Sequence, residues 1–263
     1  MTSGTFTAWK FENTKRPVEA LTIIAVDYGK VKCGYAVGTL FVAESGTVSK
    51  KELFEKIKAH DKVILGLPLS MSGNYSSQTF EVLQFGLKLL DLGKEVYLVD
   101  ERLTTKMAKT YGKIDDDRFS AEQLLLTFIQ NPATGTKFSK KTTECELDKG
   151  VCKLENNQTL IVFEVPIDEK LGPLLRVDSK DAAAVGFSRD PYTAYTMFKN
   201  GLFVLRVWDD LLSWVEKKKI ESRQFCIIIN VDFGHFLSDI LELLMQENIQ
   251  IRTIFCKTKD ACS

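Results

Sequence analysis

Two hydrophobic rhythms alternate along the first half of the chain. "LTIIAVD", "CGYAVGTLFVAESGTVS", "KVILGLPL" and "KEVYLVDERL" are short apolar runs bounded by glycine, proline or charge, and each reads as one or two strands. Between them "KKELFEKIKAHD" sets Leu53, Phe54 and Ile57 at helical spacing, and "SSQTFEVLQFGLKLLDLG" is an amphipathic helix with a glycine stop. "DDDRFSAEQLLLTFIQNP" closes the segment as a helix with proline just past its end. Helices alternating with buried strands predict a mainly parallel sheet, while the opening strands, joined by tight turns, pair as an antiparallel meander. Residues 21–131 are therefore expected to form one mixed α/β layer.

The pattern breaks at "NPATGTKFSKKTTECELDKGVCKLENNQ", which is rich in Thr, Lys, Asn and Gly, and residues 132–158 read as a linker. Beyond it "TLIVFEVP", "LFVLRVW", "FCIIINVDF" and "IQIRTIFC" are strand-like, with "DDLLSWVEKKK" and "HFLSDILELLMQEN" as amphipathic helices, so residues 159–263 predict a second α/β domain. Helix, apolar strand, helix and strand follow one another in residues 209–256 as they do in 50–103. That order allows a degenerate second copy of the first domain. Residues 1–20 are polar and mixed in charge and are expected to be a flexible tail.

With 263 residues and 44% hydrophobic content, the chain has material for two modest cores. Thirty-five basic and thirty-five acidic residues cancel, so a nucleic-acid surface would have to be a local patch. The six cysteines form no C-x-x-C pair, and His60 and His235 are the only histidines, which argues against structural zinc. No apolar run approaches the roughly 20 residues that span a bilayer, and the N-terminus lacks the apolar core of a secretory leader. Thiols read as free then predict a reducing, cytoplasmic setting without a membrane partner. Nothing in the pattern sets an oligomeric state.

Acids stand where strands end. Asp27 closes the first apolar run, Asp100 and Glu101 close "EVYLVDER", and Asp115, Asp116 and Asp117 precede the last helix of the first domain. Ligands of open α/β sheets bind at the carboxyl ends of the strands. If the strands carrying Asp27 and Glu101 are neighbours, the two carboxylates face one another. Clustered carboxylates resist ionisation unless a cation neutralises them, which predicts a hard divalent ion, Mg2+ or Mn2+. Two such ions about 3.5–4 Å apart can activate water and stabilise the leaving oxygen of a phosphodiester. Taken singly, each acid also has a structural reading: Asp100 as a strand end, Asp117 or Ser120 as a helix cap, and the aspartate run as a solvated turn.

Four segments in order, "IIAVDYGKVKCGYAVG", "VILGLPLSMSGNYSSQTFEVLQFGLKL", "VYLVDERLTTKMA" and "DRFSAEQLLL", resemble the YqgF family over about residues 21–131. These are ribonuclease H-like nucleases described as Holliday junction resolvases and as nucleases maturing the 5′ end of small-subunit ribosomal RNA precursors. The resemblance implies a ribonuclease H-like mixed sheet flanked by helices and a metal-dependent endonuclease acting on structured nucleic acid, either precursor ribosomal RNA or branched DNA. It also implies a catalytic, metal-holding set of Asp27, Glu101 and an acid at the start of the last helix. Counting back from "SAEQLLL" selects Asp117, and aligning "GKID" selects Asp115. Gly29 would permit the turn after the first carboxylate, and Gly66 to Pro68 would bring backbone close to substrate under the polar loop "SMSGN". Arg102 would meet the scissile phosphate or form a surface ion pair, Thr104 would cap a helix, and Lys106 would contribute charge.

The chain departs from the family pattern in two places. The segment before the final aspartate, "LTTKMAKTYGKIDD", is short and holds only Lys106, Lys109 and Lys113 as cations, and lost cations weaken phosphate binding. The C-terminal half is one that family members generally lack. It offers Glu164 but no second "DER", so it reads as a docking or supporting module in which Trp208, Trp214 and Phe225 are expected in the core rather than stacked on bases. Two other readings compete. "DYGKVKCGYAVG" with "VDFGH" is similar to the phosphate turns of actin-like and sugar-kinase ATPases, although "VDFGH" is poor in glycine and hydroxyls. A non-catalytic nucleic-acid-binding protein on a retired nuclease fold is the other. Divalent-metal dependence separates it from an enzyme.

Overall fold

The computed structural model describes residues 22–102, 117–145, 158–169, 171–175, 183–222, 224–245 and 249–261. The first sheet is built from β1 (Ile23–Asp27), β2 (Lys32–Gly38), β3 (Val42–Ser49), β4 (Lys62–Leu67), β5 (Glu95–Asp100) and β6 (Gly135–Phe138), in the order β3-β2-β1-β4-β5-β6. The opening three strands form the expected antiparallel meander, and β1, β4 and β5 run parallel. Two helices make those parallel crossovers, α1 (Lys50–Lys58) and α2 (Ser77–Asp91), and both begin at a serine capping box, Ser49 with Glu52 and Ser76 with Thr79.

A third helix, α3 (Asp117–Gln130), covers the opposite face. There Ala25, Ala36, Ile64 and Val99 of the sheet are buried under Ala121, Leu124, Leu125 and Phe128. Ala25 and Ala36, the small residues among them, let the helix lie close to the strands, and this closeness brings its first residue to the sheet's carboxyl end.

The second sheet contains β7 (Lys141–Cys145), β8 (Gln158–Phe163), β9 (Ala183–Phe187), β10 (Phe203–Leu205), β11 (Gln224–Asn230) and β12 (Gln250–Asp260), in the order β10-β9-β8-β11-β12-β7. Its helices are α4 (Pro191–Lys199), α5 (Trp208–Glu221) and α6 (Leu237–Leu244). β8 to β12 are all parallel, with only β7 antiparallel. The order of the first five strands thus recurs in β8 to β12, but in chain order the antiparallel edge strand is the last of the first sheet and the first of the second, and where the first makes a hairpin meander the second makes a helical crossover through α4. The possible second copy is corrected to that extent: shared strand order, different strand direction. β9 and α4, in "AAVGF" and "PYTAYTMFK", are elements that the hydrophobic pattern did not reveal.

Residues 132–158 were expected as a linker, yet they supply an edge strand to each sheet. β6 pairs with β5, and β7 pairs with β12. Edge strands are short and expose alternate polar side chains; in "GTKF" only Phe138 is fully buried. One core cluster runs through both domains, with Phe80 of α2 stacked on Phe198 of α4 at 3.9 Å between centroids. Trp208, Trp214 and Phe225 belong to the core of the second domain, as expected: Phe225 is buried, Trp214 is partly buried against the same cluster, and Trp208 packs against Phe163, Phe187 and Phe236.

Cys145 and Cys256, cross-strand partners on β7 and β12, are joined by a disulfide, whereas Cys33 is a free, buried thiol and Cys226 is buried. The expectation of free thiols is corrected at that pair, and the inference of a reducing compartment loses this support. A bond closing a loop of 111 residues restricts the unfolded chain. Reduction, or the Cys145→Ser/Cys256→Ser double variant, is expected to lower stability by about 2–4 kcal/mol. Thermal unfolding with and without reductant checks this, and an unchanged midpoint would show the bond to be absent in solution. No helix among the described residues is long and apolar enough to cross a membrane.

Candidate active site

Three carboxylates gather around the end of β1, and glycines make the room. Asp27, the last residue of β1, pairs across the antiparallel ladder with Gly34 of β2. On its other side, one residue beyond the Val26–Leu65 pair of β1 and β4, stands Gly66. A Cβ on Gly66 would overlap Glu101 Oε1 and lie 2.9 Å from Leu124 Cδ1. The Glu101 carboxylate therefore lies directly over Gly66. A Cβ on Gly34 would overlap the Asp117 carbonyl and lie 2.9 Å from the Arg118 nitrogen, so the first residue of α3 rests on that glycine. Mid-strand glycines of this kind mark close approach of another group.

This geometry corrects the expected path between the acids. The strands carrying Asp27 and Glu101 are not neighbours, because β4 separates β1 from β5. Glu101 reaches toward Asp27 across β4, over the one position there that has no side chain. Gly66 thus serves the site by vacating space. Gly29 acts similarly: its backbone is not left-handed, but a Cβ there would overlap the Lys32 carbonyl and lie 3.8 Å from Asp117 Oδ2. The Asp117 carboxylate accordingly faces the β1–β2 turn.

The electrostatics follow from the crowding. Burial, reinforced by the negative charges of Asp27 and Asp100, pushes the Glu101 carboxyl up to about 8. Below the acids the buried Cys33 thiol is pushed up to about 11, chiefly by burial, with Lys50 opposing and Asp27 and Asp117 assisting. Lys50 stands 4.5 Å over the ring of Tyr28, whose other contact is a stack on Phe85 at 4.4 Å. Although burial opposes it, Asp100 is held below the usual carboxylate range by Arg102.

Of the remaining expected contacts, Arg102 takes the ion-pair alternative, with Nη2 at 2.7 Å and Nε at 3.0 Å from the Asp100 carboxylate. The Pro68 carbonyl accepts hydrogen bonds from Ser76 and Thr79 at the start of α2. The loop "SMSGN" is docked on the second domain through Asn74. Thr104, Lys106, Asp115 and Asp116 lie outside the described residues. Among the described residues no three His, Cys, Asp or Glu side chains stand at ligand spacing about one point. In kind, however, the donors suit a hard divalent ion: all are carboxylate oxygens, and one of them is kept from ionising at neutral pH by burial and by its negative neighbours. Gly34 is the site residue that sequence reasoning missed; its signal was a glycine in the middle of an apolar strand.

The family described as "RuvX: Holliday junction resolvase" matches residues 21–125. A Thermotoga maritima protein named "Putative pre-16S rRNA nuclease" is 36% identical over 193 residues, which cover 71% of this chain and 81% of that protein. The chain belongs to the RuvX/YqgF family. "Ribonuclease YqgF" of Deinococcus radiodurans is 34% identical over 119 residues, 41% of this chain and 88% of the relative. A Rickettsia africae protein carrying the same name as the Thermotoga one is 34% identical over 133 residues, 41% of this chain and 86% of the relative. In this RuvX/YqgF chain, 71% of 263 residues is about 187, so the Thermotoga match runs past the first domain into β8 and β9. The second domain is therefore shared, at least in part, with that relative, whereas the Deinococcus and Rickettsia matches take in 88% and 86% of those proteins while covering 41% of this chain, as expected of a half that family members generally lack.

Proposed function

We propose that the chain is a divalent-metal-dependent endonuclease that cleaves phosphodiester bonds in structured nucleic acid, with Asp27, Glu101 and Asp117 as the residues that hold Mg2+ or Mn2+. The observation that carries this reading is the Glu101 carboxylate lying over Gly66 toward Asp27. A buried acid forced close to another is a poor arrangement for stability and a useful one for gathering cations. When bound, the ion would supply activation of water and charge stabilisation at the scissile phosphate. Asp27 and Glu101 are mounted on stiff strand ends and Asp117 at a helix start packed on Gly34, which limits their motion. Lys50, which stands over the Tyr28 ring and acts on Cys33 beside the acids, would bring positive charge to a phosphate bound there.

The substrate we favour is precursor small-subunit ribosomal RNA, on the strength of the names of the Thermotoga and Rickettsia relatives. A four-way DNA junction is the second reading, supported by the family description. End-labelled precursor RNA and junction DNA, incubated with Mg2+, Mn2+ or chelator, separate the two. Binding without metal-dependent cleavage of either would establish instead a retired nuclease acting as a binding module. That alternative draws on the lack of an assembled three-ligand cluster among the described residues. The ATPase reading has little to rest on: Val231–Phe236 is a short 3-10 turn in which the Asn230 side chain accepts from the Asp232 amide.

A pH dependence follows. Glu101 holds a cation only when ionised and is pushed up to about 8 without one. At limiting Mg2+, cleavage is therefore expected to rise with pH through about 8, and saturating Mg2+ should move that midpoint downward. A midpoint that ignores the Mg2+ concentration would remove Glu101 from the metal-holding set.

A further inference from the structure

The start of α5 is held by a residue of the other domain. Val207 occupies the N-cap position of this helix, and its side chain has no acceptor to offer. Asn74, from the loop after β4, takes over: its Oδ1 accepts from the amides of Arg206 at 2.8 Å and Val207 at 3.1 Å, and its Nδ2 donates to Asp210 Oδ2 at 2.5 Å. Arg206 Nη1 in turn donates to the Gly73 carbonyl at 3.3 Å.

Gly73 is the wedge between domains. Its φ of +93° is glycine-favouring backbone, and a Cβ there would lie 3.1 Å from Arg102 Nη1 and 3.5 Å from Val207 Cγ2. Arg102 returns both its amide and its guanidinium to Asp100. Asp100 and Arg102 are the two residues that flank Glu101. An unbroken set of contacts thus runs from the first turn of α5 through Asn74 and Gly73 to the turn that carries a site acid. Tyr75, next in the loop and only 9% exposed, anchors the same segment in the domain interface.

We propose that the second domain is a positioning element of the active site: by gripping Asn74 and Gly73 it fixes the Asp100–Arg102 turn and so the placement of Glu101. Asn74 is on this view a positioning residue that never touches substrate. The catalytic consequence rests on the nuclease reading above; the positioning itself does not.

The test uses the full chain and two readouts. Hydrogen exchange followed by mass spectrometry should show Asn74→Ala accelerating exchange in the peptide covering 98–102 by at least about tenfold, with β8 and β11 unchanged. In cleavage assays the same variant should lose about 10–100-fold in kcat with little change in KM, since a misplacement of about 1 Å far from the chemistry has effects of that size. Asn74→Asp puts a carboxylate against Asp210 and should behave alike. Adding Asp210→Asn restores one donor and one acceptor with the direction reversed, and should recover both readouts to within about threefold. Unchanged exchange at 98–102 in Asn74→Ala, or failure of the reciprocal pair to recover it, overturns the proposal. A wild-type chain that cuts nothing would sink the nuclease reading, while the exchange data would still decide the positioning.

Discussion

Glu101→Gln is expected to abolish cleavage and, at the same time, to make the protein more stable. The loss of activity should reach at least about a thousandfold in kcat, because a neutral amide can neither hold a cation nor stabilise charge developing at a phosphate. The gain in stability has the opposite origin. A carboxyl with an ordinary value near 4.5 that the fold pushes up to about 8 opposes folding progressively as pH rises from about 4.5 to about 8, and by a constant amount above that. Glutamine keeps the shape and removes the charge. The expected gain is about 1–3 kcal/mol at pH 8, discounted for partial exposure, and it should vanish below about pH 4.5. Saturating Mg2+ should narrow the gap by stabilising only the wild-type chain. Asp27→Asn should abolish cleavage as well and, by removing a negative neighbour, bring the Glu101 carboxyl down. Chemical denaturation across pH with and without Mg2+, beside cleavage assays, checks all of this. An active Glu101→Gln variant, or one destabilised at pH 8, would show that the acid is neither a metal holder nor under repulsion.

The second large effect is expected at the glycines. In Gly66→Ala the new methyl meets the Glu101 carboxylate and Leu124 Cδ1, and the flexible end of the glutamate gives way first. Activity should therefore fall by about a hundredfold or more, with a stability loss of only about 1–3 kcal/mol. Gly34→Ala is different in kind, because its methyl overlaps the backbone carbonyl of Asp117 and no rotamer relieves that. α3 must lift from the sheet, so Gly34→Ala should lose more stability than Gly66→Ala as well as activity. Gly234→Ala, where an added Cβ meets nothing within 4 Å, serves as the neutral comparison. Urea unfolding midpoints and cleavage rates of the three variants are the measurement. Full activity in Gly66→Ala would mean that Glu101 does not work from its place over β4.

Part of this arrangement was already legible in the chain. Asp27 and Glu101 could be singled out because each follows an apolar run whose period and length declare a buried strand, whereas Asp117 was chosen over Asp115 only through the family resemblance, by counting back from "SAEQLLL". These signals are local. β9 and α4 escaped because "AAVGF" is short and small and "PYTAYTMFK" mixes polar with aromatic residues. β6 and β7 escaped because edge strands bury only part of their surface.

What the sequence by itself determined was most of the strands and helices of the first domain and the main ones of the second, where the acids sit along them, and that the first domain belongs with ribonuclease H-like nucleases. Tertiary structure alone decided that β4 runs between the two acid-bearing strands, so that the Glu101 carboxylate lies over Gly66 and feels the charge of Asp27. It also decided that Gly34 seats α3, that Cys145 meets Cys256, and that Asn74 holds a helix of the second domain. The reason is physical: hydrophobic periodicity records how each segment meets its own surroundings, whereas strand order, cross-strand neighbours and domain contacts come from pairing residues far apart in the chain, which no local pattern encodes.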